Sequence, residues 1–252
     1  MDSSRMERRW PMAFVNSYEN VTRAKAYSKL EFANTYRLAF RDLPELFAAH
    51  AQGTAALDFG CGTGRSTRFL RELGFEPVGV DISAEMIAKA HELDPRGDYR
   101  LVPGDDMSGL PRQGFDLIQS AFTFDNIPGM DLKVRLFRDL RALLAPGGVL
   151  INIVSAPEIY FNEWATFSTA DFPENRNAKP GDTVRIITTE IEDRSPCVDI
   201  LWPHESYLEV YGRAGLEVVE MRKPLATGDE PYRWASEMRI APWAIYALQS
   251  TN

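Results

Sequence analysis

Residues 56–70 read ALDFGCGTGRSTRFL, and no other stretch limits the possible folds of this chain as strongly. A short apolar run ends in three alternating glycines, Gly60, Gly62 and Gly64, and a segment with Phe69, Leu70 and Leu73 at helical spacing follows at once. Glycine lets the backbone turn tightly there, and lets a ligand approach main-chain amides with no Cβ in the way. A strand feeding a helix through such a turn belongs to an open α/β sheet, whose ligands sit at the C-terminal ends of the strands. Arg65 stands where the dinucleotide fingerprint Gly-x-Gly-x-x-Gly has its third glycine. No Gly-Lys-Ser/Thr is present, so a phosphate-cradling P-loop is excluded.

The alternation of strand and helix continues downstream. Residues 77–80 form a second short strand, and Ser83 caps a helix that buries Met86, Ile87, Ala90 and Leu93. Strands follow at 99–102 and 115–120, then a helix over 132–144 with Leu136, Leu140, Leu143 and Leu144 in register. After the turn Pro146-Gly147-Gly148, residues 149–154 make a fifth strand. Such β-α-β-α order means a parallel sheet with helices on both faces. Ahead of it, residues 1–52 read as helical, with Phe32, Tyr36 and Phe40 one turn apart and Pro44 where a helix breaks or restarts.

Beyond residue 154 the rhythm is lost. Aromatics lie among turn formers, and two strands are expected at 183–191 and 197–202, joined by Asp193-Arg194-Ser195-Pro196. A helix between Pro203 and Gly215 leads to strands at 216–221 and 243–248, which pair antiparallel because no crossover helix separates them. The expected fold is α/β: a Rossmann-like, doubly wound, seven-stranded sheet, mostly parallel with an antiparallel end. Four regions are expected: an N-terminal helical cap (1–52), a ligand-binding core (53–154), a lid between strands five and six (155–202), and the rest of the core sheet (203–252).

Acids fall at the strand ends. Asp81 closes the second strand, where a carboxylate can accept two hydrogen bonds from a ribose diol. Asp58 lies two residues before the first glycine, positioned to face an ammonium group directly or through water. Asp105 or Asp106, after the third strand, can accept from an adenine amino group while the next amide donates, and the spacing to Leu110-Pro111 favours Asp106 with Met107. Together they point to a nucleoside-containing ligand. Elsewhere the composition is restrictive: 28 Lys and Arg against 36 Asp and Glu give a net charge of −8, which argues against a dedicated nucleic-acid binder. No 18-residue apolar span or signal peptide is apparent, and two cysteines, Cys61 and Cys197, form neither a disulfide framework nor a CxxC metal pair. A cytoplasmic protein, without metal or membrane association, is expected.

With these residues the chain resembles the class I S-adenosylmethionine-dependent methyltransferases, small-molecule type. Residues 57–64 are similar to the family's first motif, residues 115–128 to its fourth-strand motif and residues 143–152 to its fifth. The resemblance implies S-adenosyl-L-methionine as cofactor, S-adenosyl-L-homocysteine as product, and cofactor contacts from Asp58, Gly60, Cys61, Gly62, Gly64, Asp81, Ile82, Met86, Asp106, Met107 and Ser120. Asp125-Asn126 stands where many small-molecule members carry a His pair.

Methyl transfer from a sulfonium is an in-line displacement, so positioning does most of the work. If the acceptor must lose a proton, the candidates for a general base are His204, Tyr160 and Asp125, with Glu158 beside them. His50 and His91 sit on helices away from the ligand edge. Tyr18, Tyr27, Tyr36, Phe122, Phe124, Trp164 and Phe167 are expected to wall a pocket for a planar or cationic small molecule. Arg176, Lys179 and Arg185 are alternative contacts for an anionic acceptor. The leading expectation is methyl transfer to N or O of a small molecule. Protein or tRNA methylation, a non-catalytic cofactor-binding regulator and a nicotinamide oxidoreductase are the alternatives. Neither the acceptor nor the oligomeric state is written in the sequence.

Overall fold

The computed structural model describes residues 32–102 and 106–251. The chain enters through two short helices, α1 (Asn34–Phe40) and α2 (Leu43–His50), with Pro44 in the first turn of α2, where its missing N–H costs nothing. The core then follows as β1 (Ala55–Phe59), α3 (Arg65–Glu72), β2 (Glu76–Asp81), α4 (Ala84–Leu93), β3 (Asp98–Leu101), β4 (Phe115–Ala121), α5 (Met130–Leu143) and β5 (Leu144–Ser155).

Seven strands form one sheet in the order β3-β2-β1-β4-β5-β10-β9. The first five are parallel. β10 (Trp243–Ser250) lies antiparallel between β5 and β9 (Leu216–Arg222), as the lack of a crossover helix requires. Continuous apolar runs in β5 and β10 suit central strands covered on both faces. One face packs Ala56, Leu117, Ile151 and Ile245 under α1 and α2, and the other packs Leu57, Ile118, Leu150 and Tyr246 under α5 and α6 (His204–Ala214). Among the described residues, no helix is long and apolar enough to cross a membrane.

Residues 156–203 are not a bare linker. They carry a second sheet of three antiparallel strands, β6 (Phe167–Ser168), β7 (Thr183–Thr188) and β8 (Cys197–Ile200). β7 and β8 are shorter than the expected 183–191 and 197–202. β6, with two residues, offers no periodicity to read.

A buried glutamate ties three distant segments together. Glu237, on the connection between β9 and β10, accepts from Thr35 Oγ1 at 2.7 Å, from the Ala165 amide at 2.7 Å and from the Ala235 amide at 2.8 Å. Thr166 adds reciprocal bonds with Thr35, and the Trp243 indole donates to the Thr35 carbonyl. The helices, the small sheet and the last strand therefore share one polar joint inside the first core. Glu237→Ala leaves these donors buried without an acceptor and should cost about 3 kcal/mol. Urea unfolding measures it, and a loss below about 1 kcal/mol would contradict the joint.

Candidate active site

The glycine turn is built on the end of β2. The amides of Gly60 and Cys61 both donate to the Val80 carbonyl, at 2.8 and 2.9 Å, and the Gly62 amide donates to Asp81 Oδ2 at 2.8 Å. The other Asp81 oxygen accepts the Ser83 amide at 2.9 Å. Gly60 and Gly62 have φ of 76° and 53°, a region that side chains disfavour. A Cβ at Gly60 would strike Thr123, whereas one at Gly62 would meet nothing within 4 Å, because that position faces open space. Gly64 starts α3 in the left-handed conformation.

That space is a cavity of about 240 Å³ at the C-terminal edge of the sheet. Gly60, Cys61, Gly62 and Asp81 line one side, with Ile82, Met86, Val102 and Ile127 forming an apolar slot beside them. Burial raises the Asp81 carboxyl above its ordinary range, and amide donors hold it down. Each of its oxygens keeps acceptor capacity beyond the single bond described above.

Asp58 is fully buried below the loop and does not line the cavity. Its Oδ2 accepts from Ser66 Oγ and Thr67 Oγ1, both at 2.6 Å, so it fixes the first turn of α3. Burial pushes it up to about 6 against those two bonds. Ser120 is buried on β4 outside the cavity lining. Asp106 is exposed and accepts the Ser108 amide at 3.0 Å, while Met107 packs into the core beneath α5, so neither reaches the cavity wall. Asp105, Tyr18 and Tyr27 lie outside the described residues.

The opposite side of the cavity is aromatic and acidic. Tyr36, Phe122, Phe167 and Trp243 line it, with Tyr36 stacked on Trp243 at 5.9 Å and Phe122 tilted against Trp243 at 4.6 Å. Phe122 has φ of 64° at the end of β4, a left-handed conformation that costs a non-glycine residue energy and marks a constrained site. Phe124 instead stacks on Phe137 under α5. Trp164 is buried in the first core, its indole donating to the Ile159 carbonyl.

Asp125 lines the cavity from the short turn after β4 and accepts from the amide and hydroxyl of Ser155. Asp199 reaches the same wall from β8 and accepts from Tyr160 Oη at 3.0 Å and Asn126 Nδ2 at 3.2 Å. Behind them Lys133, on α5, is fully buried; its ammonium donates to the Phe124 carbonyl and sits over the rings of Trp202 and Tyr207. Burial, then the Asp199 charge, raises Asp125, and burial lowers Lys133 against the pull of both carboxylates.

Tyr160 is absent from the cavity lining and meets it through Asp199 and Ser155, which do line it. His204 is turned away: its ring stacks on Tyr246 and its Nδ1 lies 2.9 Å from the Tyr246 hydroxyl, in a separate small recess. Glu158 is exposed. Arg176 and Arg185 are exposed and engage the Phe161 carbonyl and Glu174, in the turns flanking β6, outside the cavity lining. The sequence reading missed Asp199 and Lys133, yet both left signals. Asp199 alternates with buried Cys197 along β8, and Lys133 falls on the apolar stripe of α5, four residues before Phe137.

Asp125 holds its proton more tightly in the folded state, so native stability falls as pH rises from the ordinary carboxylate range towards about 8. Asp125→Asn removes that loss. The stability of the variant minus that of the native protein should then grow between about pH 5 and pH 8, by at most about 1.4 kcal/mol per unit. Urea unfolding at both pH values checks it; a flat difference would contradict the burial of this carboxyl.

The model of a methyltransferase domain matches residues 31–185, more than half of the chain. The chain is 27% identical over 187 residues to N-demethylindolmycin N-methyltransferase of Streptomyces griseus, covering 73% of this chain and 78% of that protein. It is 27% identical over 157 residues to a ubiquinone biosynthesis O-methyltransferase of Bordetella avium, covering 61% of this chain and 55% of that one. Three further relatives are matched over 31%, 45% and 52% of their own length. The fold is shared with a solved S-adenosylmethionine-dependent methyltransferase from Mesorhizobium loti, with a TM-score of 0.58 at 23% identity, covering 82% of this chain and 96% of that one.

Proposed function

The chain belongs to the methyltransferase-domain family, a family of S-adenosylmethionine-dependent enzymes, and on that premise we propose that its cavity holds this cofactor along the tips of β1, β2 and β4 and offers the methyl group to a nitrogen or oxygen of a small acceptor. The carrying observation is the cradle itself. An open position at Gly62, a two-oxygen acceptor at Asp81 and an apolar slot from Ile82, Met86, Val102 and Ile127 line one continuous wall. Those shapes fit a methionine backbone, a ribose diol and an adenine ring.

When bound, S-adenosylmethionine supplies a methyl group on a sulfonium whose leaving group is a neutral thioether. The remaining work falls to the chain. Asp81 fixes the nucleoside end, the loop amides fix the amino-acid end, and Asp58 braces the loop from below through Ser66 and Thr67. Tyr36, Phe122, Phe167 and Trp243 exclude water, which favours a reaction that disperses charge. Holding nucleophile and methyl carbon in line contributes on the order of 7–11 kcal/mol to lowering the barrier. Residues 155–202 act as the acceptor-side cover, a role supported by the cavity contacts of Ile159, Phe167, Ile186 and Asp199. A small acceptor is further supported by the two curated relatives, one named for N-methylation of N-demethylindolmycin and one for O-methylation in ubiquinone biosynthesis.

Calorimetric titration with S-adenosylhomocysteine tests the reading. Tight binding is expected, weakened about a hundredfold or more by Asp81→Ala, which removes two hydrogen bonds to a charged group. NAD should not compete. Preference for NAD, or an Asp81→Ala variant that binds as well as the native protein, would overturn it.

A further inference from the structure

We propose that the cavity has its own proton outlet: a single water in the recess between Trp202, Tyr207 and His204 takes up the proton that the acceptor loses on methylation, passed to it by Asp125 through the Ser155 hydroxyl. This outlet rests on the methyl-transfer reading and narrows the acceptor to one whose nucleophilic atom carries a hydrogen.

The recess lies behind the acidic part of the cavity wall, and Ser155 borders both spaces. At about 10 Å³ it has the room of one water molecule. Its lining also supplies partners for one. Trp202 Nε1 and Tyr207 Oη are buried and have no hydrogen-bond partner among the described residues, and both side chains line the recess. A buried polar group left without a partner is costly, and a bridging water restores the bond. On the outer side stand exposed Lys223 and half-buried His204, whose Nδ1 lies 2.9 Å from Tyr246 Oη. Those two bring the recess within reach of solvent.

Asp125 joins the two spaces. Ser155 Oγ lies 2.8 Å from Asp125 Oδ2, and the Ser155 amide lies 3.1 Å from both carboxyl oxygens. Oδ2 is therefore turned to the hydroxyl, while Oδ1 keeps capacity for a ligand in the cavity. Facing this carboxyl are Lys133 from α5, Asp199 from β8, Tyr160 from the turn after β5 and Tyr207 from α6. Burial keeps both phenols neutral and lifts Asp125 to about 8, so at neutral pH the carboxyl holds its proton. A neutral carboxyl donates from one oxygen and accepts at the other, which is what a relay needs.

The proton balance supplies the use. The bond from the nucleophilic atom to hydrogen breaks and its bond to the methyl carbon forms, while the C–S bond breaks and leaves its electron pair on sulfur. A methylated acceptor, a neutral thioether and one proton remain. Asp125 Oδ1 takes that proton as Oδ2 gives its own to Ser155 Oγ. The Ser155 hydroxyl gives a proton to the water, and the water delivers one to the His204 imidazole or to solvent. Asp125, Ser155 and the water all end with the charge they began with. A tertiary amine or a carboxylate acceptor releases no proton and would leave the outlet without a use.

Neutron diffraction and infrared spectroscopy test it on the full chain saturated with S-adenosylhomocysteine at neutral pH. Neutron maps from crystals in heavy water should show one water in the recess, bonded to Trp202 Nε1 and Tyr207 Oη, and a deuteron on Asp125 Oδ2 directed at Ser155 Oγ. Infrared spectra should show a neutral-carboxyl band that Asp125→Asn removes and Ser155→Ala shifts. The planar probe 2-naphthol, which has a hydrogen to offer Oδ1, should shift that band, and 2-methoxynaphthalene should not. Native affinity of each variant for S-adenosylhomocysteine shows that it is folded. A recess without water, an Asp125 without a deuteron, or a band that ignores Ser155→Ala or answers both probes alike would overturn the outlet and leave the methyl-transfer reading standing. If S-adenosylhomocysteine itself fails to bind, that reading falls first and takes the outlet with it.

Discussion

The grip of the β2 tip on the glycine loop is the contact from which the rest of the site follows. Val80 receives two consecutive amides of the loop and Asp81 receives a third, so three donors are tied within one turn. A loop with left-handed glycines at 60, 62 and 64 has large conformational freedom when unfolded, and such bonds hold it in one shape. Because the loop is fixed, α3 begins at a defined point, and Ser66 and Thr67 find the buried Asp58. Asp81 thus has two duties, bracing the loop and presenting acceptor oxygens to the cavity.

A second constraint completes the cavity lining. The edge of a parallel sheet is an open shelf, and here α1 and the small β6–β8 sheet add Tyr36, Phe167, Ile186 and Asp199 to the cavity wall. Glu237 is the joint between them. The aromatic wall depends on that joint, since Tyr36 rides on α1, Phe167 on β6 and Trp243 on β10. The left-handed backbone of Phe122 completes it, a local strain offset by ring contacts with Tyr36 and Trp243.

The sheet was legible in the sequence because its signals are local: strand, turn and helix repeat within short windows, and each has its own periodicity. The first part of the site was legible for the same reason, with Gly60, Gly62, Asp81, Ile82 and Met86 all within one β-α-β unit and all on the cavity wall. What escaped notice is non-local. Asp199, Lys133 and Glu237 acquire meaning only when strands and helices far apart in the chain meet. Residue type alone pointed in the wrong direction elsewhere: His204 found a hydroxyl on β10, and Phe124 and Trp164 found cores, because a large side chain is buried wherever packing is best. Asp106 and Met107 sit one loop away from the wall that their spacing implied.

A crystal structure of the complex with S-adenosylhomocysteine examines the central arrangement most directly. The expected result has both ribose hydroxyls on Asp81, the amino-acid end against the amides of the glycine loop, and the thioether sulfur facing the space bounded by Asp125, Asp199 and Phe122. A nucleoside bound elsewhere, or a sulfur directed away from those acids, would contradict the arrangement in which donor and acceptor share one cavity.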